Sequence, residues 1–216
     1  MNNRLLRRAI LHLKSIRKLA FVPIILTDII FPTIIFMFSK ETGGSEELYW
    51  YIVEYSYLFF PICSIWWPIF ILREYLEADG NELLFVNTCR IKAIDIYAVF
   101  FIFMLNVVGQ YIIFATLFPL MIFEFLRILC CCIMYLGISY TIAFFSKSVT
   151  LTLMMMLLYT VIIITEQDNY FNFVFFLSTE PISTKIVFEI CIPQISLGFL
   201  CTGLGCILNA HFQKYR

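Results

Sequence analysis

Long apolar runs separated by short polar segments dominate the sequence from residue 19 onward. A helix needs about 20 mostly apolar residues to cross a bilayer, and several of these runs are long enough. The pattern therefore predicts an all-α integral membrane protein with six transmembrane helices. We place the predicted spans at residues 19–38, 49–72, 95–119, 128–146, 148–166 and 187–209.

The first 18 residues follow a different pattern, in which apolar positions recur every three or four residues and the bases lie mostly elsewhere around the helix. This is typical of an amphipathic helix in the membrane interface. A cluster of charges that only orients the first span is the alternative, and both place this end in the cytoplasm. The chain thus divides into an interfacial helix, residues 1–18, and a six-span domain, residues 19–216.

Polar segments of different character connect the predicted spans. The longest charged segment covers residues 73–94. The third connection is a tight hairpin, "FEFLR", which ends at Arg127, and the fourth is a turn around Lys147. Residues 167–186 contain four Phe, which is compatible with a short interfacial or re-entrant helix.

The distribution of Lys and Arg orients the bundle, because cytoplasmic segments of membrane proteins carry an excess of these residues. With the N-terminus inside, twelve of the 15 Lys and Arg residues lie on the cytoplasmic side. Only Lys40, Arg127 and Lys185 then lie outside. We therefore expect both termini and the 73–94 segment to be cytoplasmic.

Composition supports a membrane protein and gives no sign of a metal site. Hydrophobic residues make up 62% of the chain, against about 45–50% in soluble domains. The eight cysteines lie mostly in apolar runs, without zinc-site spacing. Three are consecutive, at 130–132, but neighbouring side chains on a helix point about 100° apart and cannot converge on one ion. We expect no bound metal.

The catalytic motifs that we considered do not match this sequence. It contains no GxxxxGK[ST] phosphate-binding loop, and its two histidines, His12 and His211, stand at opposite ends rather than in HExxH. The run "DGNELLF" begins like the signature of phospholipid-forming phosphotransferases, but the Ala-Arg and the spaced aspartates that should follow are missing. We expect no catalytic residue, no cofactor on this chain and no nucleic-acid partner.

The segment 73–92, "REYLEADGNELLFVNTCRIK", carries four acids and three bases in a chain with only 14% charged residues. Glu74 and Glu77 share a face on a helix, and the run from Leu83 to Phe85 offers an apolar patch. Such a mixture suits the groove of a partner protein, where apolar anchors bind and charges set the register. A solvated connector between two spans is the alternative.

This segment resembles the loop that follows the second span in the membrane subunits of type 2 ATP-binding-cassette (ABC) exporters. Those permeases commonly carry the pattern RE…E…GT-x-E-x-L…P…R at this place. Here Asn81 stands where Thr is frequent, and no proline precedes the last base, so the subfamily and the substrate stay open. The residues that carry the resemblance are Arg73, Glu74, Glu77, Gly80, Glu82, Leu83 and Arg90.

The resemblance extends to the order of the elements and implies a permease subunit that works as a dimer, with a second copy or a sister permease. In that family the loop is a coupling helix on a separate ABC ATPase, which binds ATP and Mg. This implies a coupling role for the seven residues just named. The resemblance implies outward transport of a cargo. The many Phe, Met, Leu and Ile residues suggest that this cargo is apolar or amphipathic (a peptide, drug or lipid), and the low Ala and high Ile, Phe, Asn and Lys content indicates a bacterial genome and hence a plasma membrane.

Other membrane proteins have a similar layout. The alternatives are the substrate-capture membrane subunit of an energy-coupling-factor importer, a haem-exporter-like subunit, an unaided channel and a membrane-anchored immunity protein.

Asp28 is an acidic residue near the middle of the first predicted span. A charged residue in hydrocarbon costs about 2.5–3.5 kcal/mol on insertion scales, so such a side chain usually faces protein or water. Asp28 therefore either contacts a polar or cationic substrate in the translocation path or makes a structural hydrogen bond. For the second role, the expected partner is Thr27 or a residue of another helix.

Overall fold

The computed structural model describes residues 10–11, 13–14, 16–43, 46–76, 89–165 and 183–214, without the side chains of residues 17, 42, 74, 89–92, 163–165 and 211–214. Every regular element in these ranges is helical. Helix α1 joins a 3-10 turn (Arg17–Ala20), an α-helical turn (Phe21–Ile25), a π-helical turn (Leu26–Ile30) and an α-helix (Phe31–Thr42). It is followed by α2 (Glu46–Leu76), α3 (Cys89–Ala115), α4 (Met121–Ser146), α5 (Val149–Thr165) and α6, which joins Thr184–Ile186, a π-helical turn (Val187–Cys191) and Ile192–Lys214.

Five of these helices are long and apolar enough to cross a membrane. The prediction of an all-helical protein with several apolar spans is therefore confirmed. Helix α5 is also apolar but has 17 residues, or about 25 Å at 1.5 Å per residue, against a hydrocarbon core of about 30 Å. The five spans are Lys18–Glu41, Glu46–Arg73, Ala93–Ala115, Met121–Ser146 and Thr184–Ala210.

The predicted third connection, "FEFLR", is wrong. The structure places this connection at residues 116–120 and begins α4 at Met121, so Glu124 and Arg127 lie within a helix. Both side chains are buried, so Arg127 is not in an exposed loop as expected. Opposite charges three residues apart neutralise each other on one helix face, and this lets an otherwise apolar helix contain them.

Helix α1 runs antiparallel to α2 and packs on its outer side. Near the start of α1, the Trp67 indole N–H donates to the Ala20 carbonyl over 2.9 Å. Near its other end, the ring of Phe38 stacks on Tyr51 with centroids 4.6 Å apart. Between these contacts Phe31 is fully buried. These contacts fix which face of α1 meets the bundle and leave its opposite face exposed.

Helices α2 and α4 form the centre of the bundle and run in the same direction. Tyr49, near the start of α2, contacts Glu124 near the start of α4, and Ser64 lies beside Cys132 further along both helices. Most of the apolar length of these two helices is buried, whereas less than half of the apolar length of α1, α3 and α6 is buried. The described part of the protein therefore has a buried two-helix centre, flanked by helices that carry exposed apolar side chains.

Helices α4 and α6 also run in the same direction and approach each other through small residues. A Cβ placed on Gly137 would lie 2.0 Å from the carbonyl oxygen of Gly198, and one on Gly198 would lie 2.7 Å from the carbonyl oxygen of Ile133. One turn further along, the Thr141 hydroxyl donates to the Cys201 carbonyl over 2.5 Å. Small residues permit such close backbone contact between apolar helices, where packing replaces the hydrophobic effect as the driving force.

Candidate functional site

Asp28 makes hydrogen bonds to two amide side chains of a different helix. Its Oδ1 accepts from Asn106 Nδ2 over 2.8 Å and from Gln110 Nε2 over 2.5 Å, both in α3. The neighbouring Thr27 hydroxyl lies 3.1 Å from the same oxygen. Both expected structural contacts, to Thr27 and to another helix, are thus present. We call Asp28, Asn106 and Gln110 the Asp28 site.

The backbone around Asp28 is π-helical, and Pro32 provides a physical reason. Because proline has no N–H, Pro32 cannot bond the carbonyl four residues earlier, which belongs to Asp28. The Phe31 N–H instead bonds the carbonyl of Leu26, five residues earlier. A single π-helical turn of this kind frequently lies at a functional site. Here Thr27 is buried while Asp28, the next residue, is exposed.

The Asp28 site lies on the outer face of the bundle, about halfway along α1. Asp28 is ten residues after Lys18, the first residue of the span, which corresponds to about 15 Å along the helix. Exposed apolar side chains flank it, with Ile25 at 45% and Ile29 at 60% exposure. An anionic side chain at that depth is costly in lipid. The surroundings therefore favour a polar or cationic species against this face.

The orientation of the two amides leaves their oxygens without a hydrogen bond to Asp28. A carboxylate accepts hydrogen bonds only, so both amides turn their NH₂ groups towards Asp28 and their oxygens away from it. Gln110 is 9% exposed, and its Oε1 accepts no hydrogen bond from the residues that the structure describes. A buried acceptor without a donor is unfavourable and therefore suggests a missing donor.

A second polar cluster lies inside the bundle, at residues that the sequence pattern predicts to form a loop. Arg127 Nε lies 3.4 Å from Glu124 Oε2, and the Tyr49 hydroxyl donates to Glu124 Oε1 over 2.7 Å. Two more buried tyrosines, Tyr57 and Tyr111, lie close to this ion pair. Glu124 is in the first turn of α4, where the helix dipole favours an acid. This cluster joins α2, α3 and α4 and is structural in character.

The sequence did carry a signal for this ion pair. Glu124 and Arg127 are three residues apart, and apolar residues continue on both sides of them. On a helix this spacing places both charges on one face. If residues 121–146 form one continuous helix, their sequence predicts an ion pair within that helix instead of a hairpin between two helices.

The predicted coupling residues lie at one end of α2 and beyond it. Arg73 is exposed in the last turn of α2, where a base is favoured by the helix dipole. Glu74 belongs to α2 and Arg90 to the first turn of α3, but their side chains are outside the described part. The remaining four predicted residues, Glu77, Gly80, Glu82 and Leu83, lie outside the described residues.

Comparisons of this chain with protein-family models, curated proteins and solved structures gave no match. A function is therefore inferred from the geometry of its own residues and from the sequence resemblance.

Proposed function

We propose that this chain is the permease subunit of an ATP-driven ABC exporter, and that it works as a dimer with separate ATPase subunits. The observation that carries the proposal is the exposed Asp28 carboxylate, halfway along α1 and bonded to two amides of α3. An isolated subunit would expose this polar group to lipid, at a cost of about 2.5–3.5 kcal/mol. A second subunit against the same face would enclose it in a polar path between the two bundles.

The proposal includes six spans, with α5 as the fifth. Parallel packing of α4 and α6 supports α5 as a span. The chain leaves α4 at Ser146 at one end of the bundle, and it must return to the other end before α6 begins at Thr184. Helix α5 covers most of that return. Trp67 of α2 contacts both Ala20 of α1 and Phe103 of α3, and Tyr97 of α3 contacts Thr202 of α6. These contacts bring the start of α1, the end of α2, the start of α3 and the second half of α6 towards one end of the bundle. This arrangement supports two termini on the same side as the 73–94 segment.

The proposed mechanism uses the 73–94 segment as the contact with the motor. ATP-driven closure of two ATPase subunits would push on this segment and on the basic N-terminal residues 1–18. Because α2 and α3 flank the segment directly, such a push would tilt both helices, and α3 carries Asn106 and Gln110. The Asp28 site would then move relative to the partner subunit and open outward.

We expect a reporter that is active only in the cytoplasm to be active when fused after Arg216. Fusion within residues 166–182 should give an inactive reporter, because six spans place that segment outside. If α5 did not cross the membrane, the 166–182 fusion would be active and the fusion after Arg216 inactive. Fusion within residues 77–88 is the positive control, because its location does not depend on α5.

Charge reversal in the 73–94 segment should release the ATPase. We expect affinity purification of the chain from native membranes in mild detergent to recover an ATPase with a GxxxxGK[ST] loop. The triple change Glu77→Lys, Glu82→Lys and Arg90→Glu should lower its recovery about tenfold or more, because like charges then face each other across the contact.

The matched control for this experiment is Glu47→Lys, which reverses an exposed acid at the opposite end of α2. It should leave ATPase recovery unchanged, and gel filtration should show that all variants are folded. Equal recovery of the ATPase with the triple variant, or recovery of the chain with no ATPase at all, would count against the proposed function.

A further inference from the structure

The Asp28 site combines one negative charge with amide oxygens that receive no hydrogen bond from the described part of the chain. Asp28 Oδ1 receives both amide N–H groups. Asp28 Oδ2, Asn106 Oδ1 and Gln110 Oε1 take part in none of the hydrogen bonds formed by the described residues. Gln110 Oε1 is buried, whereas Asp28 is exposed and Asn106 is half-buried. The Asp28 carboxylate and the Asn106 amide hydrogen-bonded to it therefore attract a cation that has several N–H donors.

The faces of α1 and α3 next to these oxygens are apolar and open. Ile25 on α1 and Ile113 on α3 are 45% and 65% exposed. Gly109, three residues after Asn106, is exposed, and a Cβ built there would meet no atom within 4 Å. Three residues along a helix share a face, so Gly109 leaves space beside the amide of Asn106. The site therefore has exposed apolar surface on both sides of the Asp28 carboxylate.

We propose that the Asp28 site binds the protonated primary amine of an amphipathic cargo, with its apolar chain lying along α1 and α3. A primary ammonium has one positive charge and three N–H donors, which suits an exposed carboxylate with a neighbouring amide oxygen. Hydrogen bonds between ionised partners are the strongest of their kind, about twice as strong as neutral ones. This inference rests on the proposed function, because it names the class of cargo for the same site.

Depth in the membrane distinguishes a cargo from a lipid headgroup. Asp28 lies about 15 Å from the start of the span, while lipid headgroups stay at the two interfaces. A resident lipid amine would have to leave its interface to reach the site. An amphiphile carried between subunits meets the site during its passage.

The test uses a long-chain primary amine that carries a photoreactive diazirine in its chain. The full-length protein is placed in nanodiscs of phosphatidylcholine, which has no N–H donor in its headgroup. After illumination, labelled residues are mapped by mass spectrometry. We expect labels on α1 and α3 near Ile25, Gly109 and Ile113. Unlabelled dodecylamine should compete, while dodecanol and dodecyltrimethylammonium should compete at least about tenfold less, since they lack the charge or the N–H donors.

Two variants test the residues of the site. Asp28→Asn keeps an acceptor for both amides but removes the charge, and should lower labelling about tenfold. Gly109→Leu keeps the charge but fills the open space, and should also lower labelling. The matched control is Glu54→Gln, which neutralises another exposed acid in a membrane helix and should label as the wild type does. If Asp28→Asn fails to fold, the inference is still tested by labelling of Gly109→Leu and by competition with dodecylamine, dodecanol and dodecyltrimethylammonium.

Equal labelling by the amine and by the matching alcohol would overturn the inference, as would full labelling of a folded Asp28→Asn variant. Competition by phosphatidylethanolamine would assign the site to a lipid headgroup and would overturn the proposal that the site binds a transported amine. None of these measurements requires the ATPase. Loss of amine labelling with normal ATPase recovery would therefore leave the proposed function standing. Normal labelling without ATPase recovery would leave an amine-binding site but remove its role as a cargo site.

Discussion

Replacing Gly137 with alanine should prevent the native packing of α4 against α6. The added Cβ would lie 2.0 Å from the carbonyl oxygen of Gly198, which is a backbone atom that cannot rotate away. Overpacking in a core costs about 1–3 kcal/mol when side chains can adjust, and here two helices would have to separate. We expect loss of at least about 3 kcal/mol of folding free energy, seen as a large fall in the thermal unfolding temperature in detergent.

The control for this prediction lies in the same pair of helices. A Cβ on Gly203 of α6 would meet no atom within 4 Å, so Gly203→Ala should leave stability unchanged or raise it by up to about 1 kcal/mol, because alanine favours a helix over glycine. Gly198→Ala should resemble Gly137→Ala. If Gly137→Ala and Gly203→Ala unfold at the same temperature, α4 and α6 do not approach each other as described.

Replacing Arg127 with methionine should be nearly as damaging, for an electrostatic reason. Glu124 and Arg127 are 1% and 0% exposed, so removal of the base takes away the positive charge beside a buried carboxylate. Breaking a buried ion pair from one side costs about 3–5 kcal/mol. We expect a correspondingly large loss of thermal stability in detergent, or failure of the variant to accumulate in the membrane.

The double change Glu124→Gln with Arg127→Met should recover much of that loss. The glutamine oxygen can still accept from the Tyr49 hydroxyl, and no charge stays buried. Coupling between two residues in contact is about 0.5–3 kcal/mol, which a double-mutant cycle with the two single variants would measure. Lys185→Met, at an exposed base, should change little. Purely additive losses in the cycle would show that the two side chains do not interact.

The sequence predicted helices because long apolar runs leave few other solutions in a bilayer. In lipid, every backbone N–H and C=O group must find a partner within the protein, and a helix satisfies them locally. The predicted second span, residues 49–72, accordingly lies within α2 (Glu46–Leu76). The prediction of a hairpin at "FEFLR" was wrong because charged residues were assumed to lie in a loop. Hydropathy scores each residue alone and does not take into account that Glu124 neutralises Arg127.

The Asp28 site was only partly predictable. Its acid stood out in an apolar run, but its amide partners are 78 and 82 residues away in the sequence. Asn106 and Gln110 are four residues apart and share a face of α3, which is a weak signal by itself. Only the packing of α1 beside α3 brings these three side chains together, and that depends on contacts such as Phe31 with Phe114, 5.7 Å between centroids.

The most direct test of the proposed function is a photocrosslink from the charged segment. A photoreactive amino acid placed at Leu83 in the native membrane should form one adduct with a polypeptide that contains a GxxxxGK[ST] loop. The same amino acid at Leu117, which is 62% exposed in the connection between α3 and α4, should not, because that connection lies at the opposite end of the bundle. Adducts from Leu83 with lipid or with other copies of this chain alone would contradict the assignment of this protein as an ATPase-coupled permease.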